Sequence, residues 1–390
     1  MRICATLRVL ETEVIFVNRR VSSALVTVAA LLASTGVASA HVKYVTPGSD
    51  PTEVVEFLVT AFSDPFNLVM LGLGAVAVGV GLVGYLRLRP ARHDVTVFRS
   101  SLADYRDLLP WLLRLSVGLP LVGAGFSGYF FAPVVEPAAP TFVRLFGITV
   151  GFLLLFGFGT RLVAVVGLVG YLVGLALNPA LLLAVEYVPG FLALALVGGG
   201  RPSADQLVAK LAADDRTLYS RIDPFYRAVA VPFVERVRPY ETYVPTILRI
   251  GLGISFIYLG VAQKLMNPGE ALAVVAKYDL TSVVPVAPEL WVVGAGLTEA
   301  LVGVMLVVGL FTRAFSGVAF GLFTTTLFGL PDDPVLAHIS LFGLVSALLV
   351  TGAGPLSVDA WLHARDVDAG DSAATDEGLV GGRITPNDSR

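Results

Sequence analysis

Ionisable side chains are scarce along this 390-residue chain, at 15% of positions, so one inside an apolar stretch is a candidate for chemistry. Glu299 lies about ten residues into such a stretch, on the order of 15 Å from its outer face at the rise of a helix. A carboxylate at membrane depth is costly and is by default a functional candidate. Lys264, near the outer end of the preceding apolar stretch, is the natural cation to pair with it. Two readings stand side by side. The pair is a polar clamp between helices, or a site where a quinone carbonyl takes a hydrogen bond while the carboxylate moves a proton. His338 follows the turn Pro331-Asp332-Asp333-Pro334. Its imidazole suits proton transfer or a metal, and capping of a helix start is the simpler role. Glu186, beside Tyr187 and Pro189, is a second carboxylate at membrane depth, for which an interfacial place is expected.

The elements that hold these residues follow from composition. Hydrophobic residues make up 55% of the chain and glycine contributes 40 positions, with a mean hydropathy of +0.79. Soluble domains carry closer to a quarter charged residues. The apolar residues recur in blocks of about 20, the length that crosses a bilayer as a helix. Nine spans are expected: 66–86, 108–131, 141–159, 161–178, 180–198, 246–265, 289–311, 314–330 and 335–352. Glycine pairs such as Gly170/Gly174 and Gly317/Gly321 have helix-packing spacing.

The run Asn18-Arg19-Arg20, then Val21 to Val37, then Ala38-Ser39-Ala40 has the parts of a secretory signal over 1–40, with an uncleaved first membrane helix as the alternative. Cleavage there removes Cys4, the one cysteine, and with it disulfides and thiolate clusters carried by this chain. It also exposes His41, whose amine and ring together suit Cu(II). Only His338 joins it outside, so no metal site is expected. With that end outside, just Lys43, Arg144, Lys264 and Lys277 fall on the outer side, and the other cations collect in the cytoplasmic loops and tail. The mature N-terminus is therefore expected outside and the C-terminus in the cytoplasm of a plasma membrane. Arginine in excess of lysine with an acidic tail suits an archaeal source. The net charge of −3 speaks against nucleic acid as a partner.

Two parts of the chain repeat one another. Leu112 to Gly118, with Arg114 inside it, parallels Ile247 to Gly253 around Arg249. Leu155 to Arg161 parallels Val307 to Arg313, and Gly198 to Asp205 parallels Gly352 to Asp359. Three landmarks in the same order, at the same places relative to the spans, are a fold-level signature of an internal repeat. At the aligned positions Lys264 corresponds to Tyr129 and Glu299 to Gly147, so the polar pair belongs to the second copy alone.

The ordered set Arg249, Gly253, Lys264-Leu265, Glu299, Gly309 to Arg313 (with Thr312) and Gly352-x-Gly354-Pro355-x-Ser357-x-Asp359 resembles the DoxX family. That family includes the related DoxD subunit of thiosulfate:quinone oxidoreductase. The resemblance implies a four-helix membrane bundle associated with partner proteins in sulfur, quinone or oxidative-stress chemistry. The expected fold is an all-α membrane protein of two tandem four-helix transmembrane bundles plus one extra N-terminal transmembrane helix. The expected organisation is a signal at 1–40, an N-terminus and first span at 41–100, a degenerate DoxX-like unit at 108–205, an interfacial linker at 206–244, a DoxX-like unit at 245–360 and a disordered tail at 361–390. The expected function is the membrane component of a quinone- or sulfur-linked redox complex. No cofactor is expected to be covalently bound, a quinone is the expected ligand class, and catalysis by this chain itself is left open. A non-enzymatic scaffold or assembly factor that recruits soluble partners is the alternative, with a small-solute permease behind it.

Overall fold

The computed structural model describes residues 52–365, apart from Glu136, Ala138 and residues 223–225. The expected signal segment, Cys4, His41 and the tail beyond residue 365 lie outside the described residues. Of the described residues 82% are helical and none forms a strand. The α-helices of seven or more residues are α1 (Val54–Ser63), α2 (Pro65–Leu88), α3 (Arg92–Ala103), α4 (Leu109–Ser127), α5 (Pro140–Phe156), α6 (Thr160–Leu177), α7 (Tyr187–Val197), α8 (Ala204–Ala213), α9 (Val231–Val237), α10 (Val244–Ile257), α11 (Pro268–Lys277), α12 (Pro288–Val308), α13 (Thr312–Gly329) and α14 (Val335–Thr351). Five helical stretches are long and apolar enough to cross a bilayer, and shorter apolar helices accompany them. The chain is a multi-pass membrane protein whose outer helix faces meet lipid.

Each expected span falls on helix, and two are interrupted. The span expected at 180–198 opens as a 3-10 turn over Pro179–Ala184 before α7 begins. The span at 246–265 changes from α10 to a π-helix over Tyr258–Leu265.

Helices α4, α5, α6 and α7 pack in a ring in which α4 meets α5, α5 meets α6, α6 meets α7 and α7 meets α4. Helices α10, α12, α13 and α14 repeat that order. Between the rings, α4 lies against α14 and α10 against α7. Leu113, Val117 and Leu121 of α4 share one buried core with Leu344, Val345 and Leu348 of α14. Glu186 therefore departs from its expected interfacial place. It is only 3% exposed, and the Ser340 hydroxyl donates to its Oε1 at 2.9 Å. An inter-ring seam, rather than the bilayer surface, receives this carboxylate.

The same polar clasp closes both rings at one end. Arg114 donates through Nε to Leu154 O (2.8 Å) and through Nη1 to Gly199 O (2.9 Å). It also donates to Pro202 O and Leu155 O. Arg249 repeats this with Ala353 O (2.9 Å), Leu306 O (3.2 Å), Val307 O and Leu356 O. The last carbonyls of a helix have no partner within it, so a buried guanidinium with five donors is suited to satisfy them. Asp205 accepts from Gly159 N (2.6 Å) and Thr160 N (2.9 Å), and Asp359 from Phe311 N (2.8 Å) and Thr312 N (2.9 Å). Each carboxylate thereby caps the positive end of the third helix of its ring. Gly157 and Gly309 end α5 and α12 with φ of +67° and +72°. A Cβ at either would lie 2.6 Å from the Cβ of Ser203 or Ser357. Left-handed backbone and close approach together demand glycine there.

The glycine pairs diverge in role. Gly170 and Gly174 seat the rings of Phe146 and Phe130, as their spacing predicts. Gly317 and Gly321 have nothing within 4 Å, so among the described residues no helix packs on them.

Candidate functional site

The site lies in the second ring, at the end opposite the arginine clasp. Gly260 and Gly296 build it by bringing two backbones together. A Cβ on Gly260 would stand 2.4 Å from Gly296 O and 2.8 Å from Ala300 N. The close contact sets the π-helical turn beside the middle of α12, one turn before Lys264 and one residue from Glu299. Lys264 Nζ then reaches Glu299 Oε2 at 2.6 Å, with the two side chains 16% and 20% exposed. The sequence-expected pair is formed. A π-helical insertion commonly marks a functional position because it re-aims side chains within a helix; here the segment also buries Gln263 and Tyr258, which are hydrogen-bonded to one another.

His338 is also brought to this end, though not in the place expected for an outward-facing cap. It is 1% exposed, with Nδ1 3.2 Å from Pro334 O and Nε2 3.4 Å from Asp333 Oδ2. Phe323 covers its ring at a centroid distance of 6.2 Å. The burial of His338 has a simple cause. The Pro331–Pro334 loop turns inward, and a residue four positions into α14 then faces the ring's interior.

Asp333 is the residue that sequence reasoning passed over. The doublet Asp332-Asp333 looks uniform, yet the structure separates its members. Asp332 stays outside, where Lys277 Nζ (2.7 Å) and the Tyr278 hydroxyl (2.9 Å) hold its carboxyl below the ordinary range. Asp333, in the loop before α14, is 3% exposed. Burial pushes its carboxyl up to about 7, while the charge of Lys264 works against the rise. The Asp333–His338 pair therefore lies within reach of the Lys264 charge. A proline on each side of an Asp doublet, five residues before a histidine, was the available signal.

The Asp333 environment makes a pH prediction. In the unfolded chain an aspartate ionises near 3.9, whereas in the fold this one holds its proton to about 7. The unfolded state thus binds fewer protons between these values, and stability falls as pH rises through that window before levelling off. Asp333→Asn is expected to remove the slope and to stabilise the protein by up to about 2 kcal/mol at pH 8. Thermal midpoints in mild detergent at pH 5 and pH 8 measure it. A variant less stable than the parent at pH 8 would mean that an ionised Asp333 supports the fold through His338.

Residues 244–338 match the DoxX family model. The matched stretch runs from α10 to the start of α14 and contains Lys264, Glu299, Asp333 and His338. No curated protein and no solved structure matches the chain.

Proposed function

We propose that this chain, which carries a DoxX-family domain over residues 244–338, is the membrane component of a quinone- or sulfur-linked redox assembly. The observation that carries the reading is the Lys264–Glu299 pair inside that domain, 2.6 Å apart and largely removed from solvent. In this reading residues 108–205 are a degenerate copy of the DoxX unit that serves as a scaffold. The matched clasps at Arg114 and Arg249 support it, as do Tyr129 and Gly147 where the second copy has Lys264 and Glu299. The mature N-terminus lies outside the plasma membrane and the C-terminus in the cytoplasm.

The ammonium of Lys264 would donate a hydrogen bond to a quinone carbonyl, and Glu299, taking up protons from the water side, would relay them to the quinone oxygens as a partner supplies electrons. Reduction of the quinone to quinol takes up two electrons and two protons. The electrons come from a partner protein, in keeping with the resemblance to the DoxD subunit of thiosulfate:quinone oxidoreductase. Asp333, within reach of the Lys264 charge, and its partner His338 would carry protons between that pair and the exposed loop of Asp332. The second reading, a scaffold that recruits soluble partners, is favoured by the basic linker, which exposes Leu207, Leu218, Ile222 and Phe233.

Glu299→Gln is expected to slow quinone reduction by the purified assembly on the order of 100-fold, the usual weight of a positioned proton-transfer group. Lys264→Met is expected to act in the same direction, while both variants keep their co-purifying proteins. Unchanged turnover in Glu299→Gln would remove the site assignment. Co-purified enzymes without any intrinsic turnover would favour the scaffold, and solute flux in liposomes a permease.

A further inference from the structure

The two rings differ in how the arginine that opens their third helix is neutralised. Arg161 donates through Nη1 to Ala195 O (3.1 Å) and Leu196 O, and through Nη2 to Val197 O (3.3 Å). The same Nη2 pairs with Glu241 at 3.2 Å. Arg313 makes the matching backbone bonds, from Nε to Leu349 O (2.8 Å) and from Nη2 to Val350 O (3.0 Å). No glutamate pairs with it among the described residues, and the nearby charges that act on it include two more arginines. The charges of Arg99 on α3 and Arg106 just after it act directly on Arg313. The one carboxylate that also acts on it, Asp359, is engaged by the Phe311 and Thr312 amides. Asp94, Asp104 and Asp107 share the Arg99 segment. Among the described residues, however, no carboxylate oxygen comes within ion-pairing distance of Arg99, Arg106 or Arg313.

Independent contacts fix this neighbourhood. Helix α3 packs on α14, and Tyr85 near the end of α2 meets Phe311 edge-on at 5.2 Å. Arg99 and Arg106 are exposed and Arg313 is half-buried, and each lies at or near a helix end. Two apolar surfaces leave that point along the membrane. Helix α2 is almost bare of protein contact, with Asn67 its one buried residue, and exposes Leu73, Val76, Val80 and Val83. Helix α13 leaves Gly317 and Gly321 uncovered.

We infer that Arg99, Arg106 and Arg313 form a binding site for the phosphodiester headgroup of an anionic membrane lipid, whose chains lie along α2 and α13. Three like charges, none held in an ion pair among the described residues, draw an anion from outside, and guanidinium forks match phosphate oxygens. The lipid is favoured over a free anion because the cluster stands at helix ends, where headgroups lie, and apolar surface continues from it. Arg161 provides the internal comparison, since Glu241 already neutralises it.

The test is lipid binding to the full-length protein, delipidated in neutral detergent and followed by native mass spectrometry. Phosphatidylglycerol and phosphatidylcholine with identical chains form two arms, and inorganic phosphate a third. The parent is expected to prefer phosphatidylglycerol. Arg99→Gln together with Arg106→Gln is expected to weaken that binding about 30-fold, and each single change about fivefold. Lysine at both positions should retain most of the preference, since charge near the surface is the main contribution. Equal binding of the two lipids by the parent would overturn the site, as would a preference untouched in the glutamine variants. Inorganic phosphate bound as tightly, with the same arginine dependence, would overturn the lipid as ligand. Should the double variant fail to fold, the single variants and the lysine variant decide the matter.

Discussion

Arg249→Leu is expected to destabilise the second ring by about 4 kcal/mol, the scale for removing a buried charge on which several groups depend. The side chain is 1% exposed and donates to four carbonyls, on Leu306, Val307, Ala353 and Leu356. Leucine leaves those acceptors buried without donors, at a cost of about 1–3 kcal/mol for each that water does not reach. It also removes the charge that faces Asp359. Lysine keeps the charge but lacks the planar fork, so Arg249→Lys is expected to recover less than half of the loss. The thermal midpoint in mild detergent should fall by roughly 8 °C or more in the leucine variant. Arg114→Leu should match it, because Leu154, Leu155, Gly199 and Pro202 receive the equivalent bonds. A midpoint within about 2 °C of the parent would show that water or lipid headgroups replace the guanidinium.

Gly260→Ala is expected to cost about 3 kcal/mol and to uncouple the candidate site. The added carbon would meet Gly296 O at 2.4 Å and Ala300 N at 2.8 Å, both backbone atoms that move only with their helix. Overpacking of this kind typically costs about 1–3 kcal/mol, and separation of α10 from α12 draws Lys264 away from Glu299. A double-mutant cycle between Lys264→Met and Glu299→Gln reads the second effect. Coupling of about 1–2 kcal/mol in the parent background, for a pair this far removed from water, should fall below about 0.5 kcal/mol with alanine at 260. Gly317→Ala is the control. Nothing lies within 4 Å of it, and alanine in a helix is favoured over glycine by roughly 0.5–1 kcal/mol, so this variant should be no less stable than the parent. Coupling that persists in Gly260→Ala would mean that the pair forms without the close backbone contact.

The spans and the Lys264–Glu299 pair were legible in the sequence because their signals are local or repeated. A run of about 20 apolar residues identifies a span wherever it occurs. Two charges of opposite sign inside consecutive spans have few other ways to be neutralised. The depths of His338 and Glu186 were not legible. Whether a residue faces lipid, water or another helix depends on which segment packs against it, and Ser340 lies 154 positions from Glu186. Asp333 was hidden for a related reason. It adjoins Asp332 in sequence, and only the inward turn of the loop gives the two carboxyls opposite surroundings.

By itself the sequence determined that this protein is helical, that it crosses a membrane repeatedly and which two ionisable groups sit at depth in adjacent spans. Apolar length, glycine spacing and the recurring Arg, Thr-Arg and Ser-x-Asp landmarks are properties of the chain alone. Tertiary structure alone decided that Gly260 brings two backbones into contact, that Asp333 and His338 pair in a buried loop within reach of the Lys264 charge, and that Arg161 pairs with Glu241 while Arg313 has no such partner among the described residues. Those outcomes depend on distances between groups far apart in sequence, and packing sets such distances one contact at a time.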